Sequence, residues 1–134
     1  MAKKTWRQKL DGGRPPEIEV LEKPYAGAQP GARMLVSNPR EVDGYIRTLP
    51  PGTRASVPEL RQALAERHGA DLACPLSTGI FVRIAAECAL EELAMGKPEI
   101  EVAPFWRVIE PKSPLAKKLS CGADFIAAKR AAEG

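Results

Sequence analysis

Residues 38–69 read NPREVDGYIRTLPPGTRASVPELRQALAERHG, and residues 75–96 read PLSTGIFVRIAAECALEELAMG. Asn38 suits a helix N-cap, Pro39 the first helical position, and Glu41 and Asp43 the positive end of a helix dipole. Val42, Tyr45, Ile46 and Leu49 recur at helical spacing until Pro50-Pro51-Gly52 stops the helix, since proline lacks the amide and clashes with the preceding turn. Ser56-Val57-Pro58-Glu59 is a capping-box signature, in which hydroxyl and carboxylate each satisfy a backbone amide. Leu60, Ala63 and Leu64 follow as a buried stripe, and His68-Gly69 ends the second helix. A third and longest helix is predicted from Pro75 to about Met95, with Ile80, Ile84, Cys88 and Leu93 keeping the period and Gly96 as its stop.

Outward from this helical centre the signals weaken. Toward the N-terminus, residues 11–37 are so rich in Gly and Pro that only short strands fit, with EIEVL and RMLVS as candidates, so residues 1–37 read as an irregular arm. Trp6 and Leu10, four apart, mark one edge of a short helix ahead of it. Toward the C-terminus, EIEVA alternates Ile100 and Val102 and continues into FWRVI, which predicts a bent extended ribbon over 98–109. A turn at Pro114–Leu119 and a closing helix over 123–132, with Phe125, Ile126 and the stem of Lys129 inside, complete the order. Helix, helix, long helix, ribbon, helix is compatible with a mainly α, winged helix-turn-helix domain over 38–134.

Composition narrows the function classes. The 134 residues fit one domain or a small domain with a tail. The net charge of +3 is uneven: residues 1–54 carry 10 bases against 6 acids, and the rest 10 against 11. Lys3, Lys4, Arg7, Lys9 and Arg14 against Asp11 form a small basic arm. No run of eighteen apolar residues exists and the polar start lacks a secretory signal, so a cytoplasmic protein without membrane contact is expected. Cys74, Cys88 and Cys121 form no CxxC pair and are odd in number, which argues against a disulfide framework. With a single histidine, His68, a zinc site lacks ligands and histidine-based hydrolysis is thinly supplied, so neither metal nor cofactor is expected. Cys74, just before a helix start, is the one candidate nucleophile, because the dipole and free amides there favour a thiolate.

Gly96-Lys97-Pro98, followed after five residues by Pro104-Phe105-Trp106-Arg107-Val108-Ile109, resembles the C-terminal domain of the O6-alkylguanine-DNA alkyltransferases. That family carries G-N-P, five residues, then P-C-H-R-V-[IV], and the two patterns superpose without a gap. Leu49-Pro50-Pro51-Gly52 looks like the family's I-P-x-G turn, Glu59-Leu60 like its G-E-L helix start and Glu133-Gly134 like its closing E-G. The resemblance covers roughly residues 40–134 and implies a winged helix-turn-helix that binds double-stranded DNA. It also implies chemistry: a cysteine thiolate, activated through histidine and glutamate, takes an alkyl group from a flipped base.

Here Phe105 stands at the cysteine position and Trp106 at the histidine position, while Glu133 keeps the glutamate. The expectation is therefore a non-enzymatic protein similar to the alkyltransferase-like proteins, which bind alkylated DNA without repairing it. Phe105-Trp106-Arg107 would then be either a surface for stacking an extruded base or a plug that fills an emptied pocket. DNA contacts are expected at Ser77, Thr78 and Gly79, whose amides open the long helix, and at Arg83, Lys97 and Arg107, with Lys112, Lys117 and Lys118 adding phosphate contacts. The sequence departs from the family at Val57, where a tyrosine is usual, at Lys97, where an asparagine is usual, and at the base-replacing arginine, whose place falls on Cys88 or on Ser77 and Thr78. Two alternatives stand beside this reading: a protein-interaction module using an acidic face of the long helix (Glu87, Glu91, Glu92), and a thiol enzyme using Cys74.

Overall fold

The structure is a computed structural model describing residues 4–134. Within these, the fold is mostly helical with one small sheet: α1 (Trp6–Asp11), β1 (Glu17–Val20), β2 (Arg33–Val36), α2 (Pro39–Arg47), α3 (Val57–Arg67), β3 (Leu72–Ala73), α4 (Pro75–Ala94), α5 (Pro114–Lys118) and α6 (Gly122–Glu133). Two single 3-10 turns, Glu99–Glu101 and Phe105–Arg107, lie between α4 and α5.

Two of the three central helices start at side-chain caps, while α4 starts at Pro75 with no side-chain cap. Asn38 Oδ1 accepts from the amide of Glu41 at 2.7 Å and opens α2. Ser56 Oγ accepts from the amide of Glu59 at 3.4 Å and opens α3, but Glu59 is exposed and only this half of the expected box is among the bonds formed. The complete box lies at α1, where Thr5 and Gln8 satisfy each other's amides. The long helix α4 is the centre of the packing, touching α1, α2, α3 and the Phe105–Arg107 turn. Its buried residues include Val82, Ala85, Ala86 and Ala89, whose small side chains let neighbouring helices approach closely. Apolar residues occur on every side of α4, so the sequence period has no single phase. The expected stripe through Ile80 is corrected accordingly: Ile80 is 51% exposed.

The N-terminal segment is part of the fold, and its reading as an irregular arm is corrected. Leu10 and Leu35 belong to the main core, and β1 pairs antiparallel with β2, which in turn pairs parallel with β3. The glycines and prolines that suggested irregularity are used in the connections. Ala26, Gly27 and Gly31 take positive φ in the loop between β1 and β2. A Cβ on Gly13 would meet Pro39 Cδ at 2.6 Å, so the strap from α1 to β1 passes over α2 only because that residue is bare. Asn38 Nδ2 ties the same strap down by donating to the Arg14 carbonyl at 3.0 Å. Lys3 of the basic arm lies outside the described residues.

The extended ribbon expected over 98–109 is also corrected. Pro98 and Pro104 lack the amides a ladder needs, and the chain buries Val102 to Trp106, Val108 and Ile109 from successive turns rather than on one face. Ile100, expected to point inward, is 94% exposed.

Candidate functional site

The residues that the resemblance aligns with the family's cysteine, histidine and glutamate, Phe105, Trp106 and Glu133, lie in one cluster. Trp106 Nε1 donates to Glu133 Oε2 at 3.0 Å, and Arg107 donates to the same carboxylate through Nε at 3.0 Å and Nη2 at 2.6 Å. The Gly52 amide adds a third donor residue at 3.0 Å. The Arg107 guanidinium, the Gly52 amide and the Trp106 indole together outweigh burial and hold the Glu133 carboxyl down at about 2. Arg107 Nη1 also donates to the Leu49 carbonyl at 2.7 Å, and Arg130 ties the Trp106 carbonyl (2.7 Å) to that of Ala55 (2.9 Å). This hub clamps the 49–55 loop, the Phe105–Arg107 turn and the end of α6 to one another.

The aromatic pair fills the hub's interior. Phe105 meets Trp106 edge-on at 5.4 Å and stacks on Phe125 at 5.9 Å, and both rings of the pair are buried. Burial of both rings and commitment of the indole N–H fit the plug of the two expectations, while a cavity of about 660 Å³ beside them has Trp106 and Arg107 on its lining. Arg107, expected on DNA, has its guanidinium occupied by Glu133 and Leu49. Lys97 is likewise engaged, by Glu92. Burial alone would raise the Glu92 carboxyl, and the Lys97 ammonium overrides it, leaving Glu92 below its ordinary value. Glu87 is buried as well and accepts from the Ser120 hydroxyl at 2.6 Å. Two of the three acids of the supposed acidic face thus point into the fold, and that basis for a protein partner is corrected.

The open chemistry lies elsewhere, along the N-terminal half of α4. A groove of about 510 Å³ runs between α3, α4 and α5; Leu76, Gly79, Ile80 and Arg83 line it from α4, and Arg61 and Lys118 from the two neighbours. Leu76 is 67% exposed, and a Cβ on Gly79 would meet nothing within 4 Å. Glu110 is the acid on this lining. Of the three residues expected to open the helix toward DNA, Gly79 faces the groove, Thr78 is buried with its hydroxyl on the Cys74 carbonyl at 2.7 Å, and Ser77 is half-buried. Arg83 is half-buried, and its Nε is buried without a hydrogen-bond partner among the described residues.

A second groove, of about 460 Å³, lies between α1, β1 and α4, with Lys4, Lys9 and Arg14 on its lining and Phe81 and Ile84 contributed by α4. Sequence reasoning missed Arg61 and the exposure of Leu76 and Ile80, and it treated Trp6 only as a packing residue. The indole of Trp6 has Lys9 Nζ at 4.2 Å and the Arg83 guanidinium carbon at 5.6 Å from its ring centre.

Cys74 precedes α4 and is 7% exposed, with the Tyr25 hydroxyl 4.0 Å from its sulfur. Burial raises this thiol, but the Ser77 hydroxyl and amide, the Tyr25 hydroxyl and the Leu76 amide together bring it below its ordinary value. Burial lifts the Cys88 thiol to about 11, with Glu92 adding to the effect. His68 Nε2 lies 2.6 Å from Glu41, whose other oxygen accepts from Ser37, so the imidazole links α3 to α2 at a distance from any thiol partner in the hydrogen-bond network.

Among the described residues no helix is long and apolar enough to cross a membrane, and no three His, Cys, Asp or Glu side chains gather as a metal site. Compared with protein-family models, with curated proteins and with solved structures, the chain finds no match in any of the three.

Proposed function

We propose that this chain is a non-enzymatic binder of double-stranded DNA of the alkyltransferase-like kind, with α3 and α4 as a helix-turn-helix-like pair and no ribbon wing over 98–109. The observation that carries the reading is the groove on α4: the outward face of the second helix of the pair is left open, with Arg61, Arg83 and Lys118 around it against one acid. A helix in that position enters a major groove while neighbouring cations take phosphates. The meeting of Trp106 with Glu133, at the positions where the family resemblance places histidine and glutamate, supports the same reading. Phe105 supplies no nucleophile for methyl transfer, and its burial with Trp106 favours contact through α4 over capture of a base at this pocket.

Fluorescence anisotropy with a labelled duplex, with and without O6-methylguanine, tests this. Three phosphate contacts give a slope of log affinity against log salt of about −2.7, or about a 40-fold weakening from about 50 to 200 mM. Arg83→Ala and Arg61→Ala each lower the slope. A flat salt response, or no binding to either duplex, overturns the proposal.

One observation favours a second reading, protein docking on the same face: Leu76 and Ile80 are 67% and 51% exposed. Under DNA binding, Leu76→Ser with Ile80→Ser alters base preference and spares the salt slope, because apolar side chains meet base edges and not phosphates. Under protein docking, no salt-dependent duplex binding exists to be altered.

A further inference from the structure

The indole of Trp6 gathers two positive charges that no acid among the described residues pairs with. Lys9 and Arg83 both lie against its ring, at 4.2 Å and 5.6 Å from the centre, which puts the two charges within 10 Å of each other. Among the described residues neither has an ion-pair partner, whereas their neighbours Arg7 and Arg40 both go to Asp11. An aromatic face attracts each cation without neutralising it, and the Arg83 Nε–H is buried and unpartnered besides.

Trp6 also joins the two grooves. Arg83 lines the α4 groove with Arg61 and Lys118 against one acid, Glu110, and Lys9 lines the α1 groove with Lys4 and Arg14 against one acid, Glu17. On α4, residues 76, 79, 80 and 83 face the first, and residues 81 and 84 face the second, about a third of a turn further round the helix. One helix is thus flanked by cations on two sides. The second flank is built into the fold, since α1 carries its own capping box, buries Leu10 and is followed by a strap fixed to Asn38.

Resting on the DNA reading above, we propose that α1 and its strap form a second phosphate-binding element, with Lys4, Lys9 and Arg14 holding the sugar-phosphate backbone on the flank of α4 away from Arg61 and Lys118. A helix lying in the major groove has a phosphate strand on either side. Cations on both flanks of α4 match that arrangement, and the Trp6 ring sets the position of the pair that bridges them.

The test is the salt dependence of duplex binding by the full chain, wild type against Lys9→Ala with Arg14→Ala. Both side chains are exposed, so the thermal unfolding midpoint is expected to stay in place. The slope of log affinity against log salt is expected to fall by about 1.8, or 0.9 for each lost phosphate contact, and Lys9→Arg is expected to keep it. A wild type with a steep slope that the double variant leaves unchanged overturns this proposal and leaves the DNA reading standing. A wild type without salt-dependent binding overturns both, and the two failures are thereby distinguished. Deletion of residues 1–14 is not an equivalent experiment, because it removes Leu10 from the core.

Discussion

Two places on this fold collect aromatic rings and cations, and they differ in what answers the charge. At the Phe105–Arg107 hub, Arg107 is met by Glu133 and the Leu49 carbonyl, and the rings are sealed. At the Trp6 platform, Lys9 and Arg83 lean on an indole with no carboxylate paired to either among the described residues, and both open onto grooves. The first arrangement spends its polar capacity on the protein itself. The second leaves it unspent, so the family-like motif and the open cationic surface proposed for binding are different parts of the molecule.

The hub is where the largest effect on stability is expected. Glu133→Ala leaves the Arg107 guanidinium, the Trp106 N–H and the Gly52 amide without their shared acceptor. Removing one partner of a largely buried pair costs about 3 kcal/mol at the lower end of the usual range, read as a lower urea midpoint. The wild type is expected to lose the same contribution in acid. The native carboxyl is held down at about 2 against an ordinary 4.5, so its stabilisation is fully present above the unfolded value. It fades as pH falls from 4.5 toward 2, because the unfolded chain takes up the proton first, by up to about 3 kcal/mol for this one group. If urea midpoints at pH 7 and pH 2.5 differ as much in Glu133→Ala as in the wild type, the hub is not the acid-sensitive element and the contrast with the Trp6 platform is lost.

Leu10→Ala tests the other region as structure. The side chain is 1% exposed beneath α1, and truncating a buried leucine costs about 2 kcal/mol where a short helix at the edge can settle into the gap. An unchanged unfolding midpoint would return α1 to the status of a loose tail and remove the platform from the comparison.

How much of this was legible beforehand follows from what each signal measures. Helices α2, α3 and α4 announce themselves through Asn38, Ser56, Pro75 and Gly96, because caps and stops are local chemistry. The strands β1 and β2 were visible as EIEVL and RMLVS but not as a sheet. They pair directly with each other, and β3 at Leu72–Ala73, two residues with no period of their own, completes the sheet on the far side of β2. Glycine and proline in residues 11–37 signal turns and say nothing about whether the turns connect ordered pieces. The approach of Phe105, Trp106 and Glu133 followed from resemblance, while the inward turn of Arg107, Glu87 and Glu92 and the pairing of the exposed Lys97 with Glu92 did not, since charge is written in the sequence and its partner is not. Trp6 carries the same lesson: its neighbour Lys9 lies three residues away, but Arg83 reaches it only through the packing of α1 on α4.

The smallest stability effect sharpens the comparison most. Arg61→Ala and Lys118→Ala remove charges from the open groove that have no ion-pair partner among the described residues, so each is expected to shift stability by less than about 0.5 kcal/mol. Arg107→Ala, by contrast, strands the Glu133 carboxylate in a largely buried place and lowers the unfolding midpoint by degrees. On duplex binding the order reverses: the groove variants each take about 0.9 from the salt slope, and Arg107→Ala, measured below its own unfolding temperature, leaves the slope where it was. Each variant thus predicts a pair of readings that trade places between the two regions. An Arg107→Ala protein that stays folded and loses the salt slope would put the phosphate contact back at the family-like motif and take it away from α4.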